Sequence, residues 1–152
     1  MIAENRELYC ILLPIGNGKL LLPRSIVEEV RGLVEPMPVR GAPPWLMGKV
    51  RWRGSDIPLV AIEPFLGDSI PPTSRRSRMI VLRTPKGALE PAAMAVLAQG
   101  FPYILRVTPE LLQSSEAPES EELLARIHLG LEAPVVPDLP AIAEQAARLL
   151  AA

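Results

Sequence analysis

The sequence predicts a mainly β domain of short strands joined by tight turns, and two observations carry that prediction. The chain has 18 prolines and 10 glycines among its 152 residues, a density that excludes long helices from most of its length. Its apolar residues fall in short segments, several with the two-residue period of a strand. With 49% hydrophobic residues, the chain can bury roughly two thirds of its unfolded surface, which favours one compact domain.

The first elements are predicted to be a β-hairpin and a short helix. Leu8–Ile15 has the composition of a strand, Gly16–Gly18 supplies the glycines of a hairpin turn, and Lys19–Leu22 forms the returning strand. Ser25–Glu28 has the spacing of a capping box, and Gly32 is suited to end the helix that the box would begin.

A second hairpin is predicted after a proline-rich segment. Glu35–Pro44 contains four prolines and is expected to run extended over the surface. In Lys49–Arg53, charged and apolar residues alternate, so the two apolar side chains share one face and the three cations the other. Ile57–Ile62 is the returning strand, and Pro58, which has no N–H to donate, favours an edge position. Pro64–Gly67 then forms a turn of helix.

A polar segment, Asp68–Arg78, separates this region from the rest of the chain and ends in the basic run Arg75–Arg78. Three further strand candidates follow it: Met79–Leu82, Ala92–Leu97 and Tyr103–Val107. The alanine-rich middle segment is equally compatible with a short buried helix by its periodicity.

The C-terminal part is predicted to contain short strands and one terminal helix. Thr108–Leu112 has the hydroxyl cap and first-turn proline of a brief helix, and Gln113–Glu122 is an acidic linker. Leu123–Leu129 and Val135–Val136 are the last strands. Asp138 caps a helix whose apolar stripe is expected to pack on the body: Leu139, Ile142, Ala146 and Leu149.

The overall charge and hydropathy exclude several classes of protein. Lys and Arg number 16 against 17 Asp and Glu, so the net charge of -1 provides no general attraction to a polyanion. The longest apolar run, Ala92–Ala98, has seven residues, far short of the ~20 that span a bilayer. Residues 1–7 lack the basic start and apolar core of a secretory leader. We therefore expect a cytoplasmic chain with no nucleic-acid partner and no direct membrane insertion.

The side chains that carry most enzyme chemistry are scarce. Cys10 is the only cysteine and His128 the only histidine, which excludes an internal disulfide and most metal and nucleophile chemistry. Cys10 lies in the middle of a predicted strand, where a thiol is usually inert packing. Gly16–Lys19 lacks the spacing of a phosphate-binding loop. We predict no enzyme activity, no catalytic residue, no cofactor and no metal.

One region resembles a known family. Leu20–Pro23, Ile26–Val30, Gly41–Gly48, Val50–Gly54 and Ile57–Val60 resemble, in order and spacing, a motif of the CheW family of chemotaxis coupling proteins. The match covers roughly residues 8–67, and the sequence looks like a divergent member of the family, similar to the CheW-like proteins of type IV pilus chemosensory systems. The acid that follows the Pro-Leu-Val strand in the family is replaced here by Ala61-Ile62-Glu63.

The resemblance implies a fold and a role. It implies a single domain over 1–152 with two five-stranded SH3-like barrels packed through a shared core, approximately 8–70 and 75–137, and a C-terminal helix over 138–152. It implies an adaptor without enzyme activity that binds the regulatory domain of a CheA-type histidine kinase and the tip of a methyl-accepting receptor. Such an adaptor would act in chemotaxis or twitching motility and would be recruited to membrane-associated receptor arrays.

The same resemblance suggests which residues bind the partners. Arg53 and Gly54 match the family's arginine–glycine pair, with the glycine permitting a turn and the arginine projecting toward the groove that receives the receptor tip. Neighbouring residues complete the predicted partner-binding set: Arg51, Val50 and Trp45.

Two other functions are compatible with the residues. A small barrel that binds nucleic acid or another anion could use the Arg75–Arg78 run together with Trp45 and Trp52. Against it, Trp52 is predicted to point away from the arginines beside it, which would place aromatic and charged groups on different faces. A purely structural assembly subunit is the third possibility.

Overall fold

The computed structural model describes residues 8–108, 110, 115–116, 120–129 and 131–151. Two short 3-10 turns, Arg24–Ile26 and Glu63–Leu66, interrupt a series of strands that ends in an α-helix. The elements are β1 (Leu8–Ile15), β2 (Gly18–Pro23), β3 (Val27–Gly32), β4 (Leu46–Trp52), β5 (Ser55–Val60), β6 (Arg78–Arg83), β7 (Ala93–Ala98), β8 (Tyr103–Val107), β9 (Ser115–Glu116), β10 (Leu123–Ile127), β11 (Val135–Pro137) and α1 (Leu139–Ala151).

The strands form two sheets. One has the order β8-β1-β2-β11-β10-β9 and the other β3-β6-β7-β5-β4, with parallel pairing only between β2 and β11 and between β5 and β7 among the described strands. The prediction of a mainly β chain with two packed β units and a C-terminal helix is confirmed, and the closure of each unit into an SH3-like barrel stays a prediction. One sheet has the expected five strands, and the other has five strands and a two-residue sixth, β9, at its edge.

The strands divide between the sheets differently from the sequence halves 8–70 and 75–137. The first hairpin, β1–β2, belongs with β8–β11, whereas β3–β7 form the five-stranded sheet. The cause is long-range pairing, because β2 pairs with β11 through Leu20 and Val135, and β3 pairs with β6 across the polar segment. A sequence seam near residue 70 therefore lies inside one sheet.

The apolar core has three parts. A central cluster lies between the sheets and contains Leu13 and Leu20 from one and Ile80 and Val96 from the other. A second cluster lies on the far face of the five-stranded sheet, and a third, which includes Cys10, lies on the far face of the six-stranded sheet. Because successive side chains of a strand point to opposite faces, single strands such as β1 contribute to two clusters.

Several predicted elements are confirmed. β1 and β8 have the predicted bounds, and the alanine-rich segment is the strand β7 rather than a helix. Asp138 caps α1, since its Oδ1 accepts the N–H of Ala141 at 3.1 Å. The first three residues of the predicted stripe are buried, and the fourth, Leu149, is half-buried against the central cluster.

The helix predicted to begin at Ser25–Glu28 and end at Gly32 is wrong. Residues 24–26 make only a 3-10 turn, and Val27–Gly32 is β3, which pairs with β6. A capping box describes only the local cost of starting a helix, whereas pairing with β6 supplies backbone hydrogen bonds and suits the β-branched Val27 and Val30.

The edge position predicted from Pro58 is also wrong, because β5 lies between β7 and β4. The proline is tolerated since β7 pairs with β5 only at Leu59 and Val60, beyond Pro58. On the other side, the residue opposite Pro58 is Lys49, which exchanges its backbone hydrogen bonds with Met37 instead. No partner therefore needs the missing N–H.

The brief helix predicted over Thr108–Leu112 lies largely outside the described residues, as does much of the Gln113–Glu122 linker, in which β9 is described. In the described part of the chain, no helix has the length and apolar character needed to cross a membrane.

Candidate partner-binding site

The β4–β5 hairpin carries the predicted arginine–glycine pair at its tip. Trp52 pairs with Ser55, so the loop consists of only Arg53 and Gly54, with φ of 47° and 81°. Positive φ at both central residues is the signature of a type I′ turn, whose twist matches that of the flanking strands. Glycine adopts this conformation freely, but for arginine it is strained, and such strain is typical of functional positions.

The Arg53 guanidinium lies over the ring of Trp52, with 4.4 Å between the guanidinium carbon and the ring centroid. The expectation that Trp52 and both neighbouring arginines lie on different faces is therefore wrong for Arg53, because it sits in the turn rather than in the strand. It holds for Arg51, which is exposed on the opposite face and lies 3.4 Å from Asp56.

Trp52 is itself held in place. The residue is 7% exposed, and its Nε1–H donates to Oε1 of Glu29 at 2.9 Å. The other oxygen of Glu29 lies 3.6 Å from Nε of Arg31. Since β3 and β4 are the outermost strands of the five-stranded sheet, the Trp52–Glu29 hydrogen bond joins its two edges.

A backbone contact joins the middle of β4 to the chain that follows β3. The N–H of Met37 donates to the carbonyl of Lys49 at 2.8 Å, and the N–H of Lys49 donates to the carbonyl of Met37 at 2.9 Å. The neighbouring Gly48 has a φ of 146°, and a Cβ there would overlap the Met37 carbonyl. Glycine is needed at this position so that the chain after β3 can approach β4.

Two of the predicted partner-binding residues are buried. Val50 is 3% exposed in the cluster beneath Trp52, and Trp45 is 8% exposed with its ring centroid 5.3 Å from that of Phe65. Val50 therefore supports the hairpin from inside, whereas Trp45 packs in the central cluster between the sheets. Of the predicted set, Arg51, Arg53 and Gly54 are exposed.

The Arg75–Arg78 run lies elsewhere on the five-stranded sheet. Arg75 and Arg76 are exposed, whereas Arg78 donates to the carbonyls of Arg75 at 2.7 Å and Ser77 at 2.9 Å and lies 4.3 Å from the ring centroid of Phe101. An open cavity of about 420 Å³ adjoins this run, with Leu33 among its lining residues. Arg78 thus stabilises its own loop.

Two functional candidates were missed by the sequence reasoning. Glu29 gave no signal beyond an acid in a mixed segment. Glu63 was noted only as part of a departure from the family motif, yet it is fully buried and its Oε2 accepts the N–H of Gly16 at 2.9 Å. Neither contact could be found from spacing, because each joins residues far apart in the chain.

Two titratable groups elsewhere are perturbed. Burial raises the pKa of the Cys10 thiol, because desolvation disfavours the thiolate. A hydrogen bond to Glu132, whose Oε1 lies 3.0 Å from Nζ, raises the pKa of Lys19. Among the residues that the structure describes, no three or more His, Cys, Asp or Glu side chains are grouped so that they could hold a metal ion.

Known proteins share this chain's family and fold. The model of a family described as CheW-like domain matches residues 10–146. The crystal structure of the scaffolding protein TtCheW from Thermoanaerobacter tengcongensis is similar, with a TM-score of 0.71 over 89% of this chain and 91% of that chain. The two sequences are 14% identical, so this similarity establishes the fold. No curated protein sequence matches significantly.

Proposed function

Because this chain belongs to the CheW-like domain family, which supports a scaffolding role in chemotaxis, we propose that it is an adaptor without enzyme activity that couples chemoreceptors to a histidine kinase. Its partners are the regulatory domain of a CheA-type kinase and the tip of a methyl-accepting receptor. It acts in the cytoplasm at receptor arrays that serve chemotaxis or pilus motility. The family match over residues 10–146 supports this role.

The rigid presentation of Arg53 is the observation that carries the proposal. The face of its guanidinium lies on Trp52, which leaves the N–H groups in the guanidinium plane free to bind a carboxylate in bidentate fashion. Trp52 is fixed in turn by Glu29. An arginine held in this way loses little side-chain entropy on binding, so it suits an acidic residue on a partner surface.

Stiffness is the property that such an adaptor needs. The two sheets share one close-packed apolar cluster, and packed cores resist gradual deformation. A small displacement of a receptor bound on one surface is then passed to a kinase bound on another, rather than absorbed in between.

Arg53→Glu tests the site. The substitution replaces the guanidinium with a carboxylate that repels an acidic partner, so affinity for the receptor tip or the kinase regulatory domain should fall by ~2 kcal/mol or more, about 30-fold. Isothermal titration of the full chain with each purified partner measures this loss.

Arg76→Glu is the matched control, because it makes the same charge change at an exposed arginine outside the hairpin. We expect it to leave both affinities unchanged. Equal affinities of wild type and Arg53→Glu for both partners would remove Arg53 from the site. Failure of the wild-type chain to bind either partner would overturn the proposed function.

A further inference from the structure

A buried carboxylate joins the two sheets. Glu63 begins the 3-10 turn that follows β5 of the five-stranded sheet, and its side chain is fully buried. Its Oε2 accepts the N–H of Gly16, which lies in the β1–β2 turn of the six-stranded sheet, at 2.9 Å. The contact therefore crosses from one sheet to the other.

This arrangement is a poor way to gain stability. Removing a carboxylate from water is costly, and the second oxygen of Glu63, Oε1, has no hydrogen-bond partner among the residues that the structure describes. An apolar side chain of similar volume usually serves a buried site as well or better. What the carboxylate adds to the apolar packing is direction, because a hydrogen bond favours a narrow range of distance and angle, whereas apolar contacts are non-directional.

The turn is seated closely at this point. A Cβ at Gly16 would lie 3.1 Å from Cγ of Glu63 and 3.2 Å from Cγ of Pro71, so the glycine permits a close approach. Two residues before Gly16, the carbonyl of Pro14 accepts the N–H of Gln99, just after β7, at 2.8 Å. The end of the first hairpin is thus attached to the five-stranded sheet at two points.

We propose that Glu63 is a positioning residue, and that its hydrogen bond to Gly16, the Gly16–Glu63 latch, fixes the orientation of one sheet relative to the other. The consequence for coupling rests on the proposed function: the latch keeps the receptor and kinase surfaces in a constant geometry. The family's acid at the end of this strand is replaced here by Ala61-Ile62-Glu63, so the latch depends on an acid at a different place in the motif.

Two substitutions separate a positioning role from a merely structural one. Glu63→Gln keeps an oxygen that can accept the Gly16 N–H, and Glu63→Met keeps the bulk but removes the acceptor. Amide hydrogen exchange of Gly16, followed by NMR in the free chain, should be near wild type in Glu63→Gln. It should be at least about tenfold faster in Glu63→Met, at unchanged global stability.

A second measurement reports the orientation itself. Spin labels at two exposed positions, Lys86 in the β6–β7 connection of the five-stranded sheet and Leu124 on β10 of the six-stranded sheet, are introduced as cysteines in a Cys10→Ala chain. The distribution of distances between them should broaden in Glu63→Met and not in Glu63→Gln. Unchanged Gly16 exchange or an unchanged distribution in Glu63→Met would overturn the latch.

Binding then separates the latch from the proposed function. In Glu63→Met, the receptor tip and the kinase domain should each bind with wild-type affinity, while the effect of one on the affinity of the other is reduced at least about threefold. If each partner changes the affinity of the other equally in Glu63→Met and in wild type, the latch's role in coupling is overturned. A wild-type chain that binds neither partner refutes the proposed function, and Gly16 exchange still decides the latch.

Discussion

The two sheets differ in how fully they are covered. In the five-stranded sheet, Met79–Leu82 of β6 is fully buried and Ala93–Ala98 of β7 is at most 3% exposed, because apolar clusters cover both faces. In the six-stranded sheet, Tyr103, Ile104 and Leu124 are 45%, 57% and 56% exposed. The five-stranded sheet is thus covered on both faces at its centre, whereas the six-stranded sheet, although the Cys10 cluster lies on its far face, keeps solvated side chains on the outer strands β8 and β10; we call them the covered and the solvated sheet.

The difference shows where a precise surface can be built. The predicted partner-binding residues Arg51, Arg53 and Gly54 all lie on the hairpin of the fully covered sheet. Trp52 anchors that hairpin from within, so the position of Arg53 is set by the packing of the interior. A functional side chain gains accuracy from buried neighbours.

The largest effect that would test this comparison is expected for Trp52→Ala. The truncation leaves a cavity in the covered sheet and removes the hydrogen bond to Glu29, so the free energy of unfolding should fall by about 3–5 kcal/mol. Urea denaturation measures it. Tyr103→Ala removes an aromatic ring from the solvated sheet and should cost far less. Similar losses for the two substitutions would contradict the comparison.

Gly48→Ala should cause the next largest loss in the free energy of unfolding. A methyl group there meets the Met37 carbonyl at a backbone conformation unsuited to alanine, so β4 and the chain that follows β3 must separate. We expect a loss of about 2 kcal/mol or more in the free energy of unfolding. Gly18→Ala is the control, because a Cβ there has open space; an equal loss at both positions would mean that the close approach at Gly48 is unimportant.

Cys10 reports how tightly the apolar cluster on the far face of the six-stranded sheet is closed. It is 7% exposed, so alkylation of the folded chain should be at least about tenfold slower than in urea. Burial raises the pKa of the thiol, so the rise of the rate with pH should be displaced to higher pH in the folded chain. Equal rates and equal pH profiles in both states would show that this cluster is open.

The smallest effect is expected on the outer face of the solvated sheet. Leu124→Glu places a charge where the side chain is already 56% exposed, so the free energy of unfolding should change by no more than about 0.5 kcal/mol. Leu82→Ala, in the covered sheet, should cost about 2–5 kcal/mol. A loss above 1 kcal/mol for Leu124→Glu in thermal or urea denaturation would show that this face is covered too.

Local patterns predicted the elements whose side chains have simple environments. The bounds of β1 and β8, the alternation in Lys49–Trp52 and the cap at Asp138 all follow from neighbours in sequence. β3 was missed because Ser25–Glu28 at its start satisfies a helix-start pattern. The stability of the strand comes instead from pairing with β6, which lies about fifty residues further along the chain.

The candidate site was predictable only in part. The arginine–glycine pair could be found from its resemblance to a family motif, and the turn follows from the glycine. The stacking of Arg53 on Trp52, the hydrogen bond to Glu29 and the latch at Gly16 could not be found, because each depends on how separate strands meet in space. Spacing along the chain carries no information on those distances.

The pairing of β2 with β11 has a consequence for biosynthesis. The five-stranded sheet comes from one uninterrupted stretch, Val27–Ala98, and can assemble as those residues leave the ribosome. The first hairpin leaves earlier but has to wait for β8, β10 and β11 before its sheet is complete. The surface that would carry Arg53 is thus ready before translation ends, and its companion sheet is finished last.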